Sequence, residues 1–150
     1  MKRLITTLLI LLLLAPLAAG CSNQSADNGQ HGYTMAPLTQ MPPEVQQAPS
    51  SVRQAYQFAA HNQDVLDALP CYCGCGAMGH ISNYSCYVSG KDENGGLTYD
   101  THALGCQICV DITQDAMRML GEGQSLDDIY AYVEATYSRF GPPTTAAEGS

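Results

Sequence analysis

Behind the helix-start signal Pro49-Ser50-Ser51, Val52, Tyr56, Ala59 and Ala60 recur at the three-and-four spacing of one buried helix face. A second, shorter helical pattern, Val65-Leu66 and Leu69, runs into Pro70. A proline pushes the residue before it out of the helical region, so the helix stops there and the chain continues extended. From Cys106 the helical period returns, with Cys106, Cys109, Val110, Thr113, Ala116, Met117 and Leu120 on one face and Gly121 and Gly123 ending it. Ser125 caps a last helix whose first turn holds Asp127 and Asp128, where the helix dipole favours negative charge. Its apolar stripe is Leu126, Ile129, Tyr130, Val133, Tyr137 and Phe140, and Gly141-Pro142-Pro143 stops it. Between these patterns, residues 76–105 are rich in glycine and polar side chains. Asp92-Glu93-Asn94-Gly95-Gly96 marks a turn, with Tyr84 to Val88 and Leu97 to Tyr99 as short extended pieces around it. The expectation is a mostly α domain over residues 50–141, built of three to four short helices and a cysteine-rich loop.

The N-terminus reads differently. Met1-Lys2-Arg3 is a short positive region, and Leu4 to Leu17 is apolar but short for a membrane span. Small residues then lead to Cys21, so residues 1–20 have the shape of a signal peptide. The ending Leu17-Ala18-Ala19-Gly20-Cys21 resembles a bacterial lipobox, which implies lipid on Cys21 and attachment to the extracytoplasmic face of the cell membrane. Residues 21–49 are dominated by Gln, Asn, Ser, Pro and Gly, a composition that predicts a flexible tether, with His31 solvated inside it. Residues 142–150 read as a frayed tail.

Charge narrows the partners. The chain carries a net charge of −8, and loss of Lys2 and Arg3 with the signal leaves about −10. Such a surface does not neutralise phosphates, which excludes nucleic acid, and it makes the lipid on Cys21 responsible for membrane attachment. It favours the approach of cations.

The chemistry gathers in Pro70-Cys71-Tyr72-Cys73-Gly74-Cys75-Gly76. In an extended backbone Cys71, Cys73 and Cys75 face the same way, and the glycines let the chain bend around whatever the sulfurs hold. Three thiols this close are awkward for disulfides but suited to one metal ion or a small metal–thiolate cluster. His80, Cys86, His102 and the pair Cys106 and Cys109 extend the candidate ligand set, and Met78 reads more readily as a gap-filler. His61 reads as a helix-terminus residue outside the site. Cys106 and Cys109, in the first turn of one helix, are expected to be inclined toward the thiolate by its dipole. Thiolates suit Zn²⁺ and, being soft, Cu⁺. Six cysteines remain besides Cys21, and an even number in an exported chain also admits three structural disulfides.

Pro-Cys-Tyr-Cys-Gly-Cys at 70–75, His80, Cys86-Tyr87, His102 and Cys106-x-x-Cys109-Val110-Asp111 resemble the PCYCGC-motif (lipo)protein family of bacteria. The resemblance spans Val52 to Phe140 and implies metal binding without a demonstrated activity. The expected function is a membrane-anchored protein binding copper or zinc, not an enzyme, that buffers, senses or hands the ion to a transfer partner. The alternatives are a thiol–disulfide oxidoreductase using Cys106 and Cys109 and a structural lipoprotein held by disulfides.

Overall fold

The computed structural model describes residues 32–144. The expected signal peptide, Cys21 with its lipid, the first part of the expected tether including His31, and residues 145–150 lie outside the described residues. The chain forms α1 (Pro43–Gln46), α2 (Ser50–Ala59), α3 (Gln63–Asp67), β1 (Val88–Lys91), β2 (Leu97–Tyr99), α4 (Gln107–Gly121) and α5 (Leu126–Tyr137), joined by short 3-10 turns. Among the described residues no helix is long and apolar enough to cross a membrane.

The longest helix among the described residues, α4, packs between α2 and α5. Its buried residues are Cys109, Val110, Ile112, Thr113, Ala116, Met117 and Met119. Gln114 Nε2 donates to the Ser51 carbonyl (2.9 Å), tying α4 to the first turn of α2. On the other side Tyr137 Oη donates to Asp115 Oδ2 (2.7 Å), tying it to α5. The expected cap is present, with Ser125 Oγ accepting the Asp128 N–H.

Three expectations about extent are corrected. The tether was expected to run to Pro49, yet Ala36, Met41 and Val45 are core residues, each 3 % exposed or less. Gln57 on α2 holds Ala36 by two hydrogen bonds, donating its side-chain N–H to the Ala36 carbonyl and accepting the Ala36 N–H on its own carbonyl. Tyr33 stands edge-on to Phe58 at 5.1 Å. The apolar residues here are few, but they join the buried core. Burying side chains the size of Met41 and Val45 contributes about 1.5–3 kcal/mol each, enough to order a segment poor in apolar residues.

The stripe of α5 is narrower than its sequence implies. Ile129, Val133 and Tyr137 are buried, whereas Leu126, Tyr130 and Phe140 are largely exposed. That row at spacing four is all a helix buries when it lies on one neighbour at the edge of the fold. The helix ends at Tyr137, and Ser138–Phe140 continue as a 3-10 turn.

Tyr84–Cys86 forms a 3-10 turn where an extended piece was expected, and the strand begins at Val88. Asn83 is the reason: its N–H is held by the Leu69 carbonyl (2.8 Å), and its own carbonyl accepts the Cys86 N–H (3.1 Å). The strands pair antiparallel with Val88 opposite Tyr99 and Lys91 opposite Leu97, and a bulge lies between Val88 and Gly90. The connecting turn sits where Asp92 to Gly96 predicts it, with Asp92 Oδ1 accepting the Asn94 and Gly96 N–H groups (both 2.8 Å).

Candidate metal centre

Three segments deliver the candidate ligands. The first follows α3. After Pro70 the chain has no regular structure through Tyr72 and bends at Cys73; Gly74, at φ +85°, then turns it into a 3-10 turn over Cys75–Met78. The expected extended run through Cys75 is thus corrected to a bend. That left-handed conformation disfavours a side chain, which accounts for glycine between two of the cysteines. Cys71 and Cys75 are buried and Cys73 is half-buried.

A clasp from the C-terminal segment holds this loop. Thr144 Oγ1 accepts the Cys71 N–H and the Thr144 N–H donates to the Cys71 carbonyl, both at 2.8 Å. Gly141 passes so close to the Tyr72 carbonyl that a Cβ there would lie 2.9 Å from the oxygen. The expected frayed tail is corrected here: residues 142–144 belong to the fold, because Cys71 needs a backbone partner. Thr144→Val keeps the shape but leaves a buried N–H without an acceptor, so it is expected to lower unfolding stability by about 1–3 kcal/mol. An unchanged urea midpoint for this variant would mean that the clasp contributes nothing.

The second segment is the start of α4. Cys106 occupies its N-cap in an extended conformation (φ −114°, ψ 99°), and Cys109 follows in the first turn. The Cys109 carbonyl accepts hydrogen bonds from Tyr87 Oη (2.8 Å) and Asn83 Nδ2 (3.3 Å). Thr113 Oγ1 donates to Asn83 Oδ1 (3.2 Å), and all three partner side chains are buried. This polar knot fixes the helix start against the loop carrying Cys86.

The third segment brings His80, Cys86 and His102. The two imidazoles stand edge to face with centroids 5.0 Å apart. Asp100 organises both: its Oδ1 accepts the His102 backbone N–H (2.7 Å), and its Oδ2 lies 3.6 Å from His80 Nε2. His80 Nδ1 is buried with no hydrogen-bond partner. A buried, unpartnered nitrogen on a histidine grouped with thiols, whose opposite nitrogen faces a carboxylate, is how a histidine is oriented to ligate a metal.

All eight sequence-designated residues come together, in three overlapping groups of four. These are Cys71, Cys73, Cys75 and Cys109; Cys73, His102, Cys106 and Cys109; and Cys75, His80, Cys86 and His102. Within each group the donor atoms lie within 4.8 Å of one another. The six described cysteines are free thiols. The Sγ separations are 3.2 Å for Cys71–Cys109 and Cys106–Cys109, 3.4 Å for Cys71–Cys73, 3.6 Å for Cys75–Cys86 and 3.7 Å for Cys73–Cys109. A tetrahedral ion with bonds of about 2.3 Å to sulfur sets its ligand sulfurs about 3.8 Å apart. The thiols therefore stand close to ligand spacing. Met78 is 59 % exposed, and His61, exposed just beyond α2, lies outside the three groups as expected.

The protonation pattern departs from the dipole expectation for Cys109. Its hydrogen bond to Cys71, and burial, push the Cys109 thiol up. Hydrogen bonds from Cys109 and Cys86 hold Cys71 far below the ordinary thiol range. Burial raises Cys73 and Cys75. Of the clustered thiols Cys71 is thus the one drawn toward the thiolate, while Cys73, Cys75 and Cys109 are held toward the thiol. Direct hydrogen bonding at 3.2 Å outweighs the diffuse field of a helix end.

Sequence reasoning passed over Asp100, Asn83, Tyr87, Thr113 and Thr144 as supports of the site. Asp100, two residues before His102, was the legible one, since a carboxylate beside a ligand histidine is a recurring orienter. The others act through contacts between segments far apart in sequence.

The model of the family described as "Protein of unknown function with PCYCGC motif" matches residues 10–148, and the chain belongs to that family. Comparison with curated proteins found no match, and neither did comparison with solved structures.

Proposed function

We propose that this PCYCGC-family protein is a membrane-anchored, extracytoplasmic metal-binding lipoprotein. It takes up a soft d¹⁰ cation, copper(I) foremost with zinc as its competitor, through Cys71, Cys73, Cys75, His80, Cys86, His102, Cys106 and Cys109. It buffers that ion or hands it to a partner protein and carries no catalytic step of its own. One observation carries the reading: His80 Nδ1 is buried without a partner in a group with Cys75, Cys86 and His102, while Asp100 faces its other nitrogen. A buried nitrogen left unpaired costs about 1–3 kcal/mol, a cost that ligation removes. Thiolates give the affinity for soft ions, and the imidazoles admit zinc as well as copper. Attachment through Cys21 rests on the sequence pattern of residues 1–21.

A redox role has one observation in its favour. Cys106 is partly exposed at a helix N-cap with its sulfur 3.2 Å from Cys109. The setting argues against it, because the described strands form one antiparallel hairpin and not the β-α-β unit of a thioredoxin-like fold.

The test is elemental analysis together with thiol counting under denaturing conditions, on the full chain purified from its own membranes. Bound copper or zinc with all six domain thiols reactive after the ion is chelated is the expected result. A metal-free protein with no reactive thiols would establish the disulfide alternative instead.

A further inference from the structure

Resting on the metal-binding reading, we infer that the centre is polynuclear: two ions share the sulfurs of Cys73 and Cys109. These two residues belong to both of the first two groups, which otherwise differ. Cys71 and Cys75 complete one tetrahedron, and His102 and Cys106 complete the other. Two tetrahedral ions bridged by two thiolates share one edge, and that edge is the separation of the bridging sulfurs. Bonds of about 2.3 Å make it about 3.8 Å, against 3.7 Å between Cys73 and Cys109. On the His102 side, the edge from a thiolate to an imidazole nitrogen should be about 3.6 Å, and Cys73 Sγ lies 3.5 Å from His102 Nε2.

Donor number and charge point the same way. One ion takes four ligands, yet these two groups together hold five thiols and an imidazole within bridging distance. The four thiolates of the first group around a single divalent ion leave a net charge of about −2 in a largely buried site, a state opposed by desolvation. The described arginines do not compensate it. Arg53 is bonded to the Ala48 carbonyl, Arg118 pairs with Asp115 and Glu122, and Arg139 lies over Phe140. A second divalent ion, with the thiolate of Cys106, brings the sum to about −1, each ligating thiol releasing its proton to water with no change of oxidation state. Cys71 and Cys106 are terminal ligands of one ion each, and the bridging pair sits between them. The group of Cys75, His80, Cys86 and His102 shares one donor with each tetrahedron, so an ion there competes with the central pair for Cys75 and His102.

The probe is ¹¹³Cd²⁺, a thiophilic ion of zinc's charge, titrated into the reduced full chain and followed by native mass spectrometry and ¹¹³Cd NMR. The expected result is at least two cadmium ions per chain, with two resonances that split each other through the shared sulfurs. Cys106→Ser, altering a half-exposed terminal ligand, should remove one resonance and keep the other. Cys73→Ser should disturb both. The splitting in the unaltered chain decides the question even if a variant fails to fold. Saturation at one ion, or two resonances without mutual splitting, overturns the shared-sulfur centre and leaves metal binding intact. No bound cadmium at all overturns both.

Discussion

Loading the reduced chain with zinc at about a thousand times its dissociation constant is expected to raise its melting temperature by on the order of 15–30 °C. Binding to the folded state alone at that excess contributes about 4 kcal/mol, and for a domain of this size each kcal/mol moves the midpoint by about 4–8 °C. The ligands come from three segments, the loop after α3, the stretch from His80 to His102 and the start of α4, so an ion here cross-links parts that separate on unfolding. The sign with pH follows from the thiols. Cys73, Cys75 and Cys109 hold their protons above the ordinary thiol range in the metal-free fold, and loading must expel them. Their raised pKa values stabilise the metal-free fold below the unfolded thiol range, a contribution lost as pH rises through the folded values. That second contribution is shared by loaded and metal-free folds and changes only above the unfolded thiol range, so at a fixed zinc concentration the gap grows with pH through the proton release alone. The shift measured by differential scanning calorimetry should therefore grow from pH 6 to pH 8. A midpoint indifferent to zinc over that range would contradict ligation by these thiols.

Asp100→Asn is expected to weaken metal affinity at the group of Cys75, His80, Cys86 and His102 by about 10–100-fold while leaving the melting temperature of the metal-free chain almost unchanged. The variant keeps an Oδ1 to accept the His102 N–H, so the backbone bend before His102 survives. It loses the carboxylate oxygen facing His80 Nε2, and with it the negative charge that orients the ring and increases the donor strength of its other nitrogen. Asp100 is thus a positioning residue, and the split between affinity and stability separates that role from a structural one. Competition against a chelator of known affinity measures the first and a thermal melt the second. Equal affinity in Asp100→Asn and the parent chain would remove Asp100 from the centre, and a large loss of metal-free stability would make it structural.

What could be read along the chain was what depends on near neighbours in sequence. The start of α2 at Ser50, the break before Pro70, the cap at Ser125 and the turn from Asp92 to Gly96 are each set by residues within about four positions, and the structure has all of them. Cysteine and histidine are scarce enough that their clustering between 71 and 109 marked every residue of the three groups before any geometry was known. Only the tertiary structure decided how those residues divide. Which sulfur faces which depends on the angle at which α4 meets the loop after Pro70, and that angle is set by Asn83, Tyr87 and Thr113 acting across the core. The same reason explains the ordered stretch before Ser50 and the clasp at Thr144. A segment of few apolar residues folds when a partner far away in sequence offers each one a cavity or a hydrogen bond, as Gln57 does for Ala36 and Cys71 for Thr144. Local composition records a segment's own tendency to order, and the surface waiting for it appears only once the helices have packed.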